Sequence, residues 1–179
     1  MTDAERDEIL RHARSALVAY LTGGVAPPPP AEGAFAEAAG IFVTLRRQDE
    51  LRGCIGHVES DRPLGMLIGR TAIAAATSDP RFPPLTQAEL DGITIEVSVL
   101  GPLEAVDSID QIEVGRHGLV IEQGRSRGLL LPQVATEWHW DREAFLAHTC
   151  QKAGLPHDAW RRGATIWRFE AEVIEEKSL

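Results

Sequence analysis

Between Gly40 and Val58 the hydrophobic period is two, and the turn inside that stretch is only three residues long. Gly40-Ile41-Phe42-Val43-Thr44-Leu45-Arg46 reads as a strand, Gln48-Asp49-Glu50 as a turn, and Leu51 to Val58 as the returning strand. Three residues cannot hold the crossover that joins parallel strands, so this pair is antiparallel. Ile93-Thr94-Ile95-Glu96-Val97-Ser98-Val99 is the cleanest strand, with isoleucines and valines on one face and Thr94, Glu96 and Ser98 on the other. Leu119 to Gln123 and Leu129 to Leu131 read as paired strands around a Gly124-Arg125-Ser126-Arg127-Gly128 turn, and Ala164 to Val173 as a last strand. Helical segments are interspersed with these hairpins. The mixture predicts an α+β fold, a mostly antiparallel sheet with flanking helices, rather than a doubly wound parallel sheet.

The helices carry their own signals. Thr2-Asp3-Ala4-Glu5 is a capping box, in which hydroxyl and carboxylate satisfy each other's orphan amides. Ile9, Leu10, Ala13, Ala16, Leu17, Tyr20 and Leu21 follow at helical spacing, and Gly23 and Gly24 can end the helix in a left-handed cap. This predicts an N-terminal helix over 1–24 and a stiff Pro-rich connector over 25–39, built on Pro27 to Pro30. Pro63 can open a second helix through Leu64, Leu67, Ile68 and Thr71, which Asp79-Pro80-Arg81-Phe82-Pro83-Pro84 breaks. Thr86-Gln87-Ala88-Glu89 caps a short helix, and Asp141 caps the last one, with Trp140 and Phe145 as a hydrophobic staple.

Composition narrows the function. Lys plus Arg is 18 and Asp plus Glu is 27, a net charge of −9, which argues against wrapping nucleic acid or an anionic membrane. Two cysteines are too few for a disulfide scaffold and point to a reducing compartment. No apolar run is long enough to cross a bilayer, and the acidic N-terminus is not that of a signal peptide. A cytoplasmic protein is expected.

Leu51-Arg52-Gly53-Cys54-Ile55-Gly56 is the most unusual segment. Gly53 and Gly56 flank the thiol and invite close approach by another strand or a ligand. In a regular strand Arg52 and Cys54 share a side, and a fixed cation beside a thiol favours the thiolate. Against this stands the common case of an unpaired cysteine as a small buried hydrophobe, which Cys150, on the apolar stripe of its helix, is expected to be. Glu96 and Ser98 share the polar face of their strand, and Arg81 sits in a proline-stiffened loop. Convergence of Arg52, Cys54, Glu96 and Arg81 would make a mixed-charge pocket for a small polar or anionic ligand, with Gly53, Gly56 and Ser98 around it. A structural Arg–Glu pair accounts for the same residues equally well. His57 lies three residues from Cys54 on the opposite face, so no metal site is expected, and no cofactor motif is present. Gly124-Arg125-Ser126-Arg127-Gly128 matches the serine-hydrolase pattern, but a strand follows where that motif requires a helix. Trp138, Trp140, Trp160 and Trp167 crowd the last quarter, where they can anchor a core or form an interaction surface.

Taken together, these segments resemble one family. Leu51-Arg52-Gly53-Cys54-Ile55-Gly56 is similar to the signature hexapeptide of the AMMECR-one domain family. Asp79-Pro80-Arg81-Phe82-Pro83-Pro84-Leu85, Ile95-Glu96-Val97-Ser98-Val99-Leu100 and Leu130-Leu131-Pro132-Gln133-Val134-Ala135 resemble its other blocks. So do Trp140-Asp141, Phe145-Leu146, Cys150 and Lys152-Ala153-Gly154-Leu155. The resemblance implies one domain over 40–175 with a larger and a smaller lobe. It further implies the setting of the AmmeMemoRadiSam system, with a Memo-like protein and a radical SAM protein as partners. The radical SAM cysteine triplet is absent, so iron–sulfur chemistry would belong to the partner.

Three functions follow as alternatives. The first is a small-ligand-binding or accessory/adaptor subunit acting with the Memo-like protein and the radical SAM protein. The second is a small enzyme using Cys54 as a reactive thiol with Arg52 and Glu96. The third, a nucleic-acid-binding regulator, is disfavoured by the charge.

Overall fold

The structure is a computed structural model and describes residues 1–177. In chain order its main elements are α1 (Asp3–Thr22), β1 (Gly40–Arg47), β2 (Glu50–His57), α2 (Leu64–Thr77), β3 (Ile93–Leu100), β4 (Glu104–Ala105), β5 (His117–Gln123), β6 (Ser126–Leu130), α3 (Pro132–Glu137), α4 (Arg142–Lys152) and β7 (Thr165–Glu175). Each strand pairing within β1–β6 and the start of β7 is antiparallel, so the fold is α+β as the hairpins predict. The chain forms two compact units, one from Met1–Leu100 with the chain from Glu172 onward, the other from Gly101–Ala171.

In the first unit β1 is central, with β2 on one side and β3 on the other, and the end of β7 lies beyond β3. The β1–β2 turn places Gln48 and Asp49 at φ 51° and 66°, the left-handed pair that a two-residue hairpin turn needs to match strand twist. Ile41, Val43, Leu45, Ile93, Ile95 and Val97 alternate onto one face of this sheet and are buried. That face is covered by α1 and α2, which supply Ile9, Ala13, Leu17, Leu64, Ile68 and Ala72 to the same core. Thr2 and Glu5 form the capping box of α1, and Gly23 ends it at φ 70°. Ile174, near the end of β7, completes the cluster.

The second unit carries β6–β5–β7, with β4 beside β7, over a core of Ile112, Leu119, Ile121, Phe145, Leu146 and Cys150. Asp141 caps α4 by accepting the Ala144 N–H. The segment after β6 departs from the sequence reading: Leu131-Pro132 does not extend a strand but opens α3, with Pro132 in its first turn, where a missing N–H costs nothing. The turn between β5 and β6 is only Gly124-Arg125, and Ser126, Arg127 and Gly128 belong to β6. Ser126 therefore sits in a hairpin strand, not on a nucleophile elbow. Among the described residues no helix is long and apolar enough to cross a membrane, and no three His, Cys, Asp or Glu side chains are placed to hold a metal.

Candidate functional site

The sheet face of the first unit opposite α1 and α2 carries the candidate residues. Cys54 on β2 pairs with Thr44 on β1, and Thr44 pairs with Glu96 on β3, so these three form one row across the sheet. Phe42 and Ser98 pair in the next row. The Thr44 hydroxyl donates to Cys54 Sγ at 3.3 Å, and Arg46 Nε lies 3.6 Å from the Glu96 carboxylate. Ser98 is 1% exposed, and its Oγ has no hydrogen-bond partner among the described residues.

A carboxylate that the sequence reading passes over organises the edge of this row. Asp79, at the end of the α2 connection, is 5% exposed and accepts the Cys54 backbone N–H at 2.9 Å. Its two oxygens also receive Arg81 Nε at 3.0 Å and Arg81 Nη2 at 2.7 Å, a fork-to-fork pair, with the Arg81 backbone N–H at 3.1 Å. The Arg81 guanidinium holds the Asp79 carboxyl well below the usual carboxylate range. Arg81 is thus fixed beside β2 with about half its side chain exposed.

Arg52 is placed differently from the expectation. A bulge in β2 puts Leu51 opposite Arg46 and Gly53 opposite Leu45, which leaves Arg52 outside the regular alternation. Its guanidinium turns to Glu89, donating from Nε at 2.9 Å and Nη2 at 3.2 Å, and to the Pro83 carbonyl at 3.0 Å. These bonds, with the Thr86 N–H, lower the Glu89 carboxyl to about 2. Arg52 therefore ties the hexapeptide to the loop before β3 and is not the cation of the thiol. Burial pushes the Cys54 thiol up; the Thr44 hydrogen bond and the Arg81 charge act the other way and are smaller.

The flanking glycines are likewise occupied. A side chain on Gly53 would stand 2.2 Å from the Ala75 carbonyl of α2, and one on Gly56 would stand 2.3 Å from the Ile41 carbonyl and 2.4 Å from the Phe42 ring. At both positions the space a Cβ would need is taken by protein, so packing alone requires glycine there. Cys150 is fully buried, as its stripe predicts. In the second unit the basic residues of β5, β6 and the segment before them are separately engaged: Arg116 pairs with Glu113 and Glu170, Arg127 with Glu122, and His117 Nδ1 accepts the Glu113 N–H. Trp138 is 67% exposed and stacks on Trp140, which stacks on His148 at 3.8 Å.

The hexapeptide on β2, the Asp-Pro-Arg loop and the polar row of β3 are thus assembled in one unit, and comparison with known proteins gives them a family. The AMMECR1 family model matches residues 10–174. The chain belongs to the AMMECR1 family. A protein of Methanosarcina mazei is 43% identical over 187 aligned positions, covering 99% of this chain and 94% of that one. Protein MJ0810 of Methanocaldococcus jannaschii is 47% identical, covering 93% and 88%. The crystal structure of the uncharacterized protein PH0010 from Pyrococcus horikoshii superposes with a TM-score of 0.92 at 42% identity, over 99% of this chain and 94% of that one. The AMMECR1 fold is therefore common to this chain and these archaeal proteins.

Proposed function

We propose that this AMMECR1 domain is an accessory subunit that binds a small polar ligand on the Cys54–Thr44–Glu96 row and acts with a Memo-like protein and a radical SAM protein. The observation that carries this reading is the state of Cys54. A nucleophilic cysteine needs a depressed thiol or an adjacent base. Here burial raises the thiol, Thr44 occupies the sulfur, and the nearest guanidinium from the hexapeptide is committed to Glu89. What the row offers is hydrogen bonding: a thiol, a carboxylate and the unused Ser98 hydroxyl beside the half-exposed Arg81. The partners come from the family resemblance. The reactive-thiol reading has one observation in its favour, the Arg81 charge near Cys54, and burial outweighs it.

Two measurements test the two halves. Size-exclusion chromatography with a Memo-like protein at micromolar concentration should give a complex for both the wild type and Cys54→Ser; separate elution removes the accessory role. Alkylation rate against pH, resolved for Cys54 by mass spectrometry, should have its midpoint above the free-thiol value of about 8.5. Arg52→Gln should leave that midpoint unchanged and Arg81→Gln should raise it. A wild-type midpoint well below about 8.5 would restore the enzyme.

A further inference from the structure

A cleft lies in the first unit where the end of β2 and the segment after it meet α2, and its arginines are unlike the others. The chain has sixteen arginines, and thirteen of them stand within ion-pair distance of a carboxylate. In a protein with a net charge of −9 this is the expected fate of a guanidinium. Among the described residues the exceptions are Arg62, Arg70 and Arg125. Two of the three, Arg62 and Arg70, line one cleft of about 660 Å³, a volume typical of small-molecule sites. They come from different elements: Arg62 from the segment after β2 and Arg70 from the middle of α2.

The rest of the wall supplies matching groups. His57, at the end of β2, adds an imidazole, and Thr71 adds a hydroxyl. Thr71 is 2% exposed, and no hydrogen bond to its side chain is made by the described residues. Unlike Thr22, Thr77 and Thr149, it does not bond back to the preceding helical turn. Its hydroxyl is not a fully enclosed one, so it is open to the cleft and can donate to a ligand oxygen. Two carboxylates also line the cleft. Glu59 is engaged in an interaction of its own, and Asp61 is exposed and accepts hydrogen bonds only.

We infer that this cleft binds a small phosphomonoester. Two guanidiniums on separate elements, an imidazole and a hydroxyl can address several oxygens of one tetrahedral dianion, whereas a carboxylate is saturated by a single arginine fork. Asp61 fits a hydroxyl on the body of the ligand.

Isothermal titration with glucose 6-phosphate and with inorganic phosphate tests the site. Saturable binding of glucose 6-phosphate is expected, and Arg62→Gln and Arg70→Gln should each weaken it at least about tenfold, the effect of one lost charge-assisted contact. Arg125→Gln, which removes the third unpaired arginine from the β5–β6 turn, should leave it unchanged. Asp61→Asn should weaken glucose 6-phosphate and not inorganic phosphate. None of the three arginines has an ion-pair partner among the described residues to lose, so the thermal midpoints of those variants should match the wild type. Absence of saturable binding at millimolar ester, or an equal loss in Arg125→Gln, overturns the inference.

Discussion

Glu89 shows how one residue in this protein serves two elements. Its carboxylate accepts the Arg52 guanidinium and, at the same time, the Thr86 N–H and hydroxyl of its own capping box. The Arg52 bonds lead in lowering its carboxyl to about 2. A depressed carboxylate contributes stability that is fully present above its unfolded value of about 4.3 and is lost as pH falls toward the folded value. Glu89→Gln should therefore cost about 1–2 kcal/mol at neutral pH, allowing for partial solvent screening. The deficit should shrink as pH falls from about 4.3 toward 2. Urea unfolding of both proteins across that range measures it, and a deficit independent of pH would contradict the assignment. Cys54, Glu96, Ser98 and Arg81 were legible as candidates because polar alternation and proline-stiffened loops are local signals. Asp79 was not, because its bond to the Cys54 amide links residues twenty-five positions apart. Nor was the direction of Arg52, since strict alternation assumes a strand without a bulge.

At the scale of elements, the glycines of β2 decide how closely helix and strand approach. Gly53 faces α2, and the Ala75 carbonyl fills the space its Cβ would need. Backbone cannot withdraw as a side chain can, so Gly53→Ala has to push α2 off the sheet. A loss of about 2–3 kcal/mol is expected, the upper range of overpacking penalties. Gly92→Ala provides the comparison, since the nearest atom is the flexible Arg47 side chain at 4.0 Å. It should stay within about 0.5 kcal/mol of the wild type. Equal thermal midpoints for the two variants would show that the close approach is not what Gly53 provides. The sequence reveals that glycines bracket the thiol but not what approaches them, because helix, strand and ligand all make the same demand for space. Elements with a repeating local signal were legible throughout the first unit. α3 was not, since its six residues are too few for a period and follow a strand without a break.

The whole molecule joins the two ends of the chain. The first unit takes its last strand segment from Glu172 onward, more than seventy residues after the rest of it has ended at Leu100. Four observations make that segment structural. Ile174 is 6% exposed in the core with α1 and α2. Glu172 accepts the Arg6 Nε at 2.6 Å and the Met1 ammonium at 3.3 Å. Glu176 accepts the Ile95 N–H at 2.9 Å and returns its own N–H to the Ile95 carbonyl at 3.0 Å. Arg14 of α1 closes on the same Glu176 carboxylate and on the Ile93 carbonyl. A chain ending at Ala171 would forfeit the burial of one isoleucine, about 2 kcal/mol, take the Glu176 carboxylate from Arg14 and leave the Ile95 amide without its partner. The expected loss is at least about 3 kcal/mol, read in the far-ultraviolet helical signal, to which the twenty residues of α1 and the fourteen of α2 contribute most. Restoring the segment through Glu176 with Ile174→Asp should recover the ion pairs but not the core, giving an intermediate midpoint. An unaltered helical midpoint in the truncated chain would mean that α1 and α2 pack without the C-terminal segment, and that the sheet of the first unit ends functionally at β3.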